Sequence, residues 1–202
     1  NGNALTIGGF ESVTIDSSTA TAKTLGAIDV TGDPDSAGTR TAATLTLTGA
    51  AALTVGAVTL GDTTTGTGTI DASAMTGAFS QGSSAAIGVT TIKGGSGNDT
   101  LMGEADVATT ISGNDGDDSI TGGTAADTLS GGAGNDTFTL TNAATTAAKD
   151  TITGGAGNDI FQSTAANLDA AHVLSGGSGT DSIKMTDINT VADSAFENNT
   201  SI

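Results

Sequence analysis

The chain has no cysteine, tryptophan or tyrosine, one proline, five phenylalanines and only five lysines and arginines in 202 residues. Absence of cysteine excludes a disulfide framework, thiolate zinc sites and a cysteine nucleophile. With aromatics at 2 %, a thick aromatic-filled core is excluded too. Scarce proline, with glycine far below one residue in three, excludes a collagen helix. No apolar run approaches the roughly 18 residues of a membrane span, and no charged segment leads into an apolar stretch as a secretory signal would. A single histidine, His172, precludes an H-E-x-x-H zinc site, and no G-x-S-x-G elbow occurs. In its loop, His172 is expected to be solvated or packed, not catalytic. Without a catalytic constellation, the chain is not expected to be an enzyme. It begins with Asn1, which reads as a processed or excised piece of a longer chain.

What is present is acid. Twenty-two acids against five bases give a formal charge of −17, which argues against nucleic acid or an anionic membrane as partner. Only Glu11, Glu104 and Glu197 are glutamates. Aspartate beside glycine suggests tight turns or hard-cation ligands, where a solvated chain would favour glutamate. The acid is also unevenly placed: net −4 over residues 1–93 and net −13 over residues 94–202.

The acidic half repeats itself. Residues 94–102 read GGSGNDTLM, of the form G-G-x-G-x-D-x-U-x with U a large apolar residue. Residues 131–139, 154–162 and 176–184 repeat the form in full. Asn114 stands at the second position of 113–121, and Ala125 at the fourth of 122–130. Glycine tolerates positive φ and lets carbonyls crowd an ion, and aspartate supplies a hard oxygen on a short stem. The x-U-x triplet is a short strand with its middle side chain inward. Ile92, Leu101, Ile111, Ile120, Leu129, Phe138, Ile152, Phe161, Leu174 and Ile183 take that slot and predict a thin apolar column.

This nonapeptide resembles that of the RTX (repeats-in-toxin) calcium-binding family, strongly over 91–185. The resemblance implies an all-β fold, a right-handed parallel β-solenoid or β-roll, with calcium held between stacked turns by aspartate carboxylates and backbone carbonyls. The implied metal residues are Gly94, Ser96, Gly97, Asp99, Gly113, Asp115, Gly116, Asp118, Gly131, Ala133, Gly134, Asp136, Gly154, Ala156, Gly157, Asp159, Gly176, Ser178, Gly179 and Asp181, with Gly122 and Asp127 as a weaker set. The first glycines of the five best turns, at 94, 113, 131, 154 and 176, are 19, 18, 23 and 22 residues apart. Two nonapeptides make one coil, so these turns should stack on one edge. That predicts about four Ca²⁺ ions between five turns, and degenerate Ala/Thr-rich connections on the other edge.

Residues 1–90 lack the nonapeptide but keep short β-branched triplets: Leu5–Ile7, Val13–Ile15, Ile28–Val30, Leu45–Leu47, Leu53–Val55, Val58–Leu60 and Thr69–Asp71. Only Leu53–Leu60 hints at a longer strand. The half reads as a Thr/Ala-rich parallel solenoid continuous with the roll, the alternative being a separate small β-sandwich. The expected organisation is therefore 1–90 solenoid, 91–190 calcium roll, and 191–202 the start of a further rung in a chain that continues. Residues 70–92 resemble an arrangement in RTX surface-layer proteins. The resemblance implies a secreted bacterial cell-surface protein whose partners are calcium, copies of itself in a lattice and cell-surface polysaccharide, with no nucleic acid and no membrane insertion. An adhesin stalk, or the roll of a secreted hydrolase lacking its catalytic domain, remains the alternative.

Overall fold

The computed structural model describes residues 4–8, 10–19, 21–31, 43–60, 67–81, 88–141, 148–168 and 172–187. Over these the chain winds as a parallel β-solenoid, with no helix among the described residues. The first rung is β1 (Leu5–Gly8), β2 (Ser12–Asp16) and β3 (Lys23–Thr24). The second is β4 (Ile28–Thr31), β5 (Thr44–Gly49) and β6 (Leu53–Val55), and the third is β7 (Val58–Thr59), β8 (Gly68–Met75) and β9 (Phe79–Gln81). From there each rung has two strands: β10 (Val89–Lys93) and β11 (Thr100–Met102), β12 (Thr110–Asp115) and β13 (Ser119–Thr121), β14 (Thr128–Ala133) and β15 (Thr137–Thr139), β16 (Thr151–Ala156) and β17 (Ile160–Ser163), β18 (Val173–Ser178) and β19 (Ser182–Met185).

Two eight-stranded parallel sheets run the length of this stack, one ordered β2-β5-β8-β10-β12-β14-β16-β18 and the other β3-β6-β9-β11-β13-β15-β17-β19. A third sheet, β1-β4-β7, closes only the first three rungs. The coil is thus three-sided at its amino end and two-sided beyond. All the triplets read from residues 1–90 lie within strands or, at Leu60, directly after one. The continuous sheets match the solenoid, with no separate sandwich among the described residues. The longer run at Leu53–Leu60 is corrected to two strands, β6 and β7, on different sheets. Gly56 makes that corner: its N–H donates to the Gly26 carbonyl at 3.1 Å, and a Cβ there would lie 3.0 Å from the Gly26 backbone.

The predicted apolar slots fill the interior. Ile92, Leu101, Ile111, Ile120, Leu129, Phe138, Ile152, Phe161 and Leu174 are buried, and Ile183 packs partly buried against them. Phe138 and Phe161 stack on successive rungs with centroids 5.2 Å apart. Each such side chain contributes about 1.5–3 kcal/mol, but only one inward residue per triplet is available. The outward positions form hydroxyl rows. Ser12, Thr44, Thr69, Thr91, Thr110, Thr128 and Thr151 follow one another in register from rung to rung, ending at Val173. Residues 191–202, read as the start of another rung, lie outside the described residues.

Candidate metal centre

The best turns do stack on one edge, each joining a strand of the first long sheet to a strand of the second. Their glycines serve different purposes. Gly132, Gly155 and Gly177 at the second position and Gly134, Gly157 and Gly179 at the fourth all have φ between 107° and 133°, where an L side chain is strained. Asn114 takes the second-position role with φ 76° and donates from Nδ2 to the Gly94 carbonyl at 2.7 Å. The first glycines need space instead: a Cβ on Gly94, Gly113, Gly131 or Gly154 would run into Oδ2 of Asp99, Asp118, Asp136 or Asp159 respectively. The same Cβ would meet the carbonyl of the next first glycine, at 2.5 Å for Gly94 and 2.7 Å for Gly113 and Gly131. Each turn therefore holds a small oxygen-lined cradle that only glycine leaves open.

The aspartates themselves form a ladder. The N–H of Asp99 donates to Oδ1 of Asp118 at 2.8 Å, Asp118 to Asp136 at 2.8 Å, Asp136 to Asp159 at 2.8 Å, and Asp159 to Asp181 at 2.9 Å. Asp99 in turn accepts from the Phe79 N–H at 2.7 Å, where the column of acids ends. Asp99, Asp118, Asp136 and Asp159 are all at most 2 % exposed, whereas Asp181 is half-buried. One oxygen of each carboxylate is spoken for by this ladder. The other, Oδ2, is buried without a hydrogen bond in Asp118, Asp136 and Asp159.

Such carboxylates are costly. Burial raises Asp118 to about 7, with the charges of Asp99, Asp136 and Asp117 adding to it and the Asp99 N–H opposing. Burial raises Asp136 to about 6, helped by Asp159 and Asp117, and pushes Asp99 and Asp159 up as well. Two carboxylates one rung apart, about 4.8 Å, repel by roughly 3 kcal/mol at an effective dielectric near 20. An orphaned, buried, mutually repelling row of hard oxygens fits a divalent cation. No three His, Cys, Asp or Glu side chains converge among the described residues, so an ion here must draw further oxygens from the backbone.

The turns that begin at Gly94, Gly113, Gly131 and Gly154 lie within matches to the model of the RTX calcium-binding nonapeptide repeat (4 copies), over residues 87–107, 108–138 and 144–166. Residues 87–166 are thus a stretch of RTX calcium-binding repeats. No curated protein and no solved structure matches it. RTX repeats bind Ca²⁺, and this many copies agrees with about four ions. The RTX aspartates and first glycines are the residues that the fold brings together. The third and fourth positions lie apart, at the tip of the turn. Ser96, Asp115, Ala133, Ala156 and Ser178 are exposed there. The fourth-position N–H groups of Gly116, Gly134 and Gly157 donate to the third-position carbonyls of Ala133, Ala156 and Ser178 on the next rung, each at 2.8 Å. Gly97 and Gly179 share the tip, but Gly97 packs on Ala78 because no repeat turn precedes it.

Two features escape the nonapeptide pattern. At the fifth position Asn98, Asp117, Asn135 and Asn158 form an outer ladder, each accepting at Oδ1 from the next rung's N–H at 2.7–3.0 Å. It runs opposite to the inner one and, Asp117 apart, carries no charge. The other edge is also corrected. It is not merely a degenerate connection, because Asp127 accepts from the Thr109 N–H at 2.7 Å and Asp150 from the Asp127 N–H at 2.9 Å. His172 Nδ1 then accepts from the Asp150 N–H at 3.1 Å. All four are at most 2 % exposed, so His172 is packed, not solvated. The signal was spacing: Asp127, Asp150 and His172 each stand two residues before an inward Leu129, Ile152 or Leu174, as Asp136 stands before Phe138.

Proposed function

We propose that this solenoid is a structural segment of a secreted bacterial surface-layer protein, in which Ca²⁺ drives both folding and lattice assembly on the cell surface. The observation that carries this reading is the unbroken pair of eight-stranded sheets leading from the Thr-rich coil into the calcium turns. A scaffold of that kind transmits order from rung to rung and has no use for a pocketed reaction centre. RTX repeat proteins are typically secreted, into calcium that extracellular modules bind at about 10⁻⁴–10⁻³ M.

In this reading residues 1–90 form the spacer and 91–190 the calcium roll. The last strand of the third sheet, β7, ends at Thr59, which supports a change of character ahead of the roll. Ions sit between successive rungs of the first edge, ligated by Asp99, Asp118, Asp136, Asp159 and Asp181. The first-position carbonyls that line each cradle contribute to their shells. The outward hydroxyl rows offer the lattice a face nearly free of charge. In the row that runs Thr14, Thr46, Asp71, Lys93, Ser112 from rung to rung, the charged pair Lys93 and Asp71 neutralise one another at 3.3 Å.

Calcium titration of the purified chain, followed by light scattering and negative-stain microscopy, tests the proposal. Ordered sheets or large oligomers appearing with calcium support it. A chain that folds with calcium yet stays monomeric and binds a surface glycan instead identifies an adhesin stalk. Folding with neither property identifies the roll of a hydrolase.

A further inference from the structure

At the fifth position of the repeat the five turns of the first edge carry Asn98, Asp117, Asn135, Asn158 and Thr180, so Asp117 is the one acid in that row. Its part in the outer ladder is that of an asparagine. The Asp117 N–H donates to Oδ1 of Asn98 at 3.0 Å, and Asp117 Oδ1 accepts from the Asn135 N–H at 2.7 Å. Asn135 and Asn158 accept from the next rung in the same way, each at 2.8 Å. An amide oxygen serves the ladder as well as a carboxylate, so the charge of Asp117 is not needed for it. Where that charge lies follows from the ladder's direction. The side chain reaches forward from the second turn to the third, where Nδ2 of Asn135 also donates to it at 3.2 Å. Asp118 follows Asp117 in the chain and Asp136 follows Asn135, and the Asp118 N–H donates to Asp136 Oδ1 at 2.8 Å. The exposed carboxylate of Asp117 therefore lies alongside the interval between the buried Asp118 and Asp136, on its solvent side. On top of burial, its charge pushes both of these carboxyls up, whereas the charge acting on Asp159 is that of Asp181.

We propose that Asp117 raises the calcium affinity of the interval between Asp118 and Asp136 without touching the ion, and so makes that interval the tightest of the first edge. This rests on the reading of the first edge as a calcium column. With the interval empty, a third anion beside two carboxylates only adds repulsion. With a doubly positive ion between them, the same anion is attracted, so its presence favours the filled state. Because Asp117 stays exposed, it does this without the desolvation cost of a buried charge. Asp115, at the third position of the same turn, is also exposed. It pairs along the strand with Ala133, and the charges acting on Asp118 and Asp136 do not include it. Placement in the outer ladder, not the number of acids in the turn, gives Asp117 its effect.

The test is calcium titration of the intact chain by calorimetry at low salt and at about 1 M salt, with far-UV circular dichroism in saturating calcium as the folding control. Asp117→Asn keeps the acceptor for the Asn135 N–H and should weaken the tightest calcium step about fivefold at low salt. The ratio to the parent chain should approach one at about 1 M salt, where the screening length is about 3 Å; a lost hydrogen bond or a folding defect would persist there. Asp115→Ser removes an equal charge from the same turn, serine being the residue found at Ser96 and Ser178, and should leave the tightest step within about twofold. Asn135→Asp should tighten calcium binding, a gain that misfolding cannot mimic. Equal losses in Asp117→Asn and Asp115→Ser, a loss that survives high salt, or no loss at all overturns the proposal and leaves the calcium column standing. A parent chain that takes up no calcium overturns the column and the proposal together.

Discussion

Stripping calcium from the roll should make its stability run backwards with pH. Asp118, Asp127 and Asp136 are at most 2 % exposed and are pushed from 3.8 to about 7, 7 and 6. Because the folded values lie above the unfolded ones, the metal-free folded state holds extra protons between them. The penalty for ionising these groups is absent below about pH 4, grows as pH rises and is complete above about pH 7. Lowering the pH from about 7.5 to about 5 removes some two units for Asp118 and Asp127 and one for Asp136, on the order of 7 kcal/mol together at about 1.4 kcal/mol per unit. That is comparable to the whole stability of a typical domain, about 5–15 kcal/mol. Metal-stripped protein should therefore lack sheet signal in far-UV circular dichroism at about pH 7.5 and recover it at about pH 5. The pH stays above the pI of 4.1, where lost net charge would promote precipitation. With millimolar calcium the order should reverse, because protons compete for the same oxygens. A metal-free spectrum equally folded at both pH values would refute the reasoning.

Asp136→Asn keeps the acceptor for the Asp118 N–H while removing a buried charge. It should stabilise the metal-free roll yet raise the calcium concentration at the folding midpoint at least tenfold, both read by circular dichroism. Gly155→Ala forces a Cβ onto a residue with φ 124° and into the Gly132 carbonyl; chemical denaturation in calcium should show a loss of about 2 kcal/mol or more. Phe161→Ala opens a void beside Phe138 and should cost about 3–5 kcal/mol without changing the number of bound ions. Asn135→Ala removes one step of the outer ladder and should cost about 1 kcal/mol with calcium affinity nearly unchanged.

The sequence by itself determined what is local and periodic. A turn of Gly, Gly, any residue, Gly, any residue and Asp specifies its own backbone, and an apolar residue two places later specifies which way the strand faces. With the RTX resemblance that the pattern carries, that was enough for the parallel coil, for its inward column from Ile92 to Leu174, and for Asp118 and Asp136 on one edge. Tertiary structure decided what depends on which rungs lie over which. The third sheet follows from corners such as Gly26 over Gly56, thirty residues apart, which no local pattern announces. Asp150 and His172 follow segments without the repeat, and only the stacking of Leu129, Ile152 and Leu174 reveals that they share a slot with Asp127. Side chains that act across rungs need the register, and in a solenoid with loops of unequal length the register is set by packing, not by counting residues.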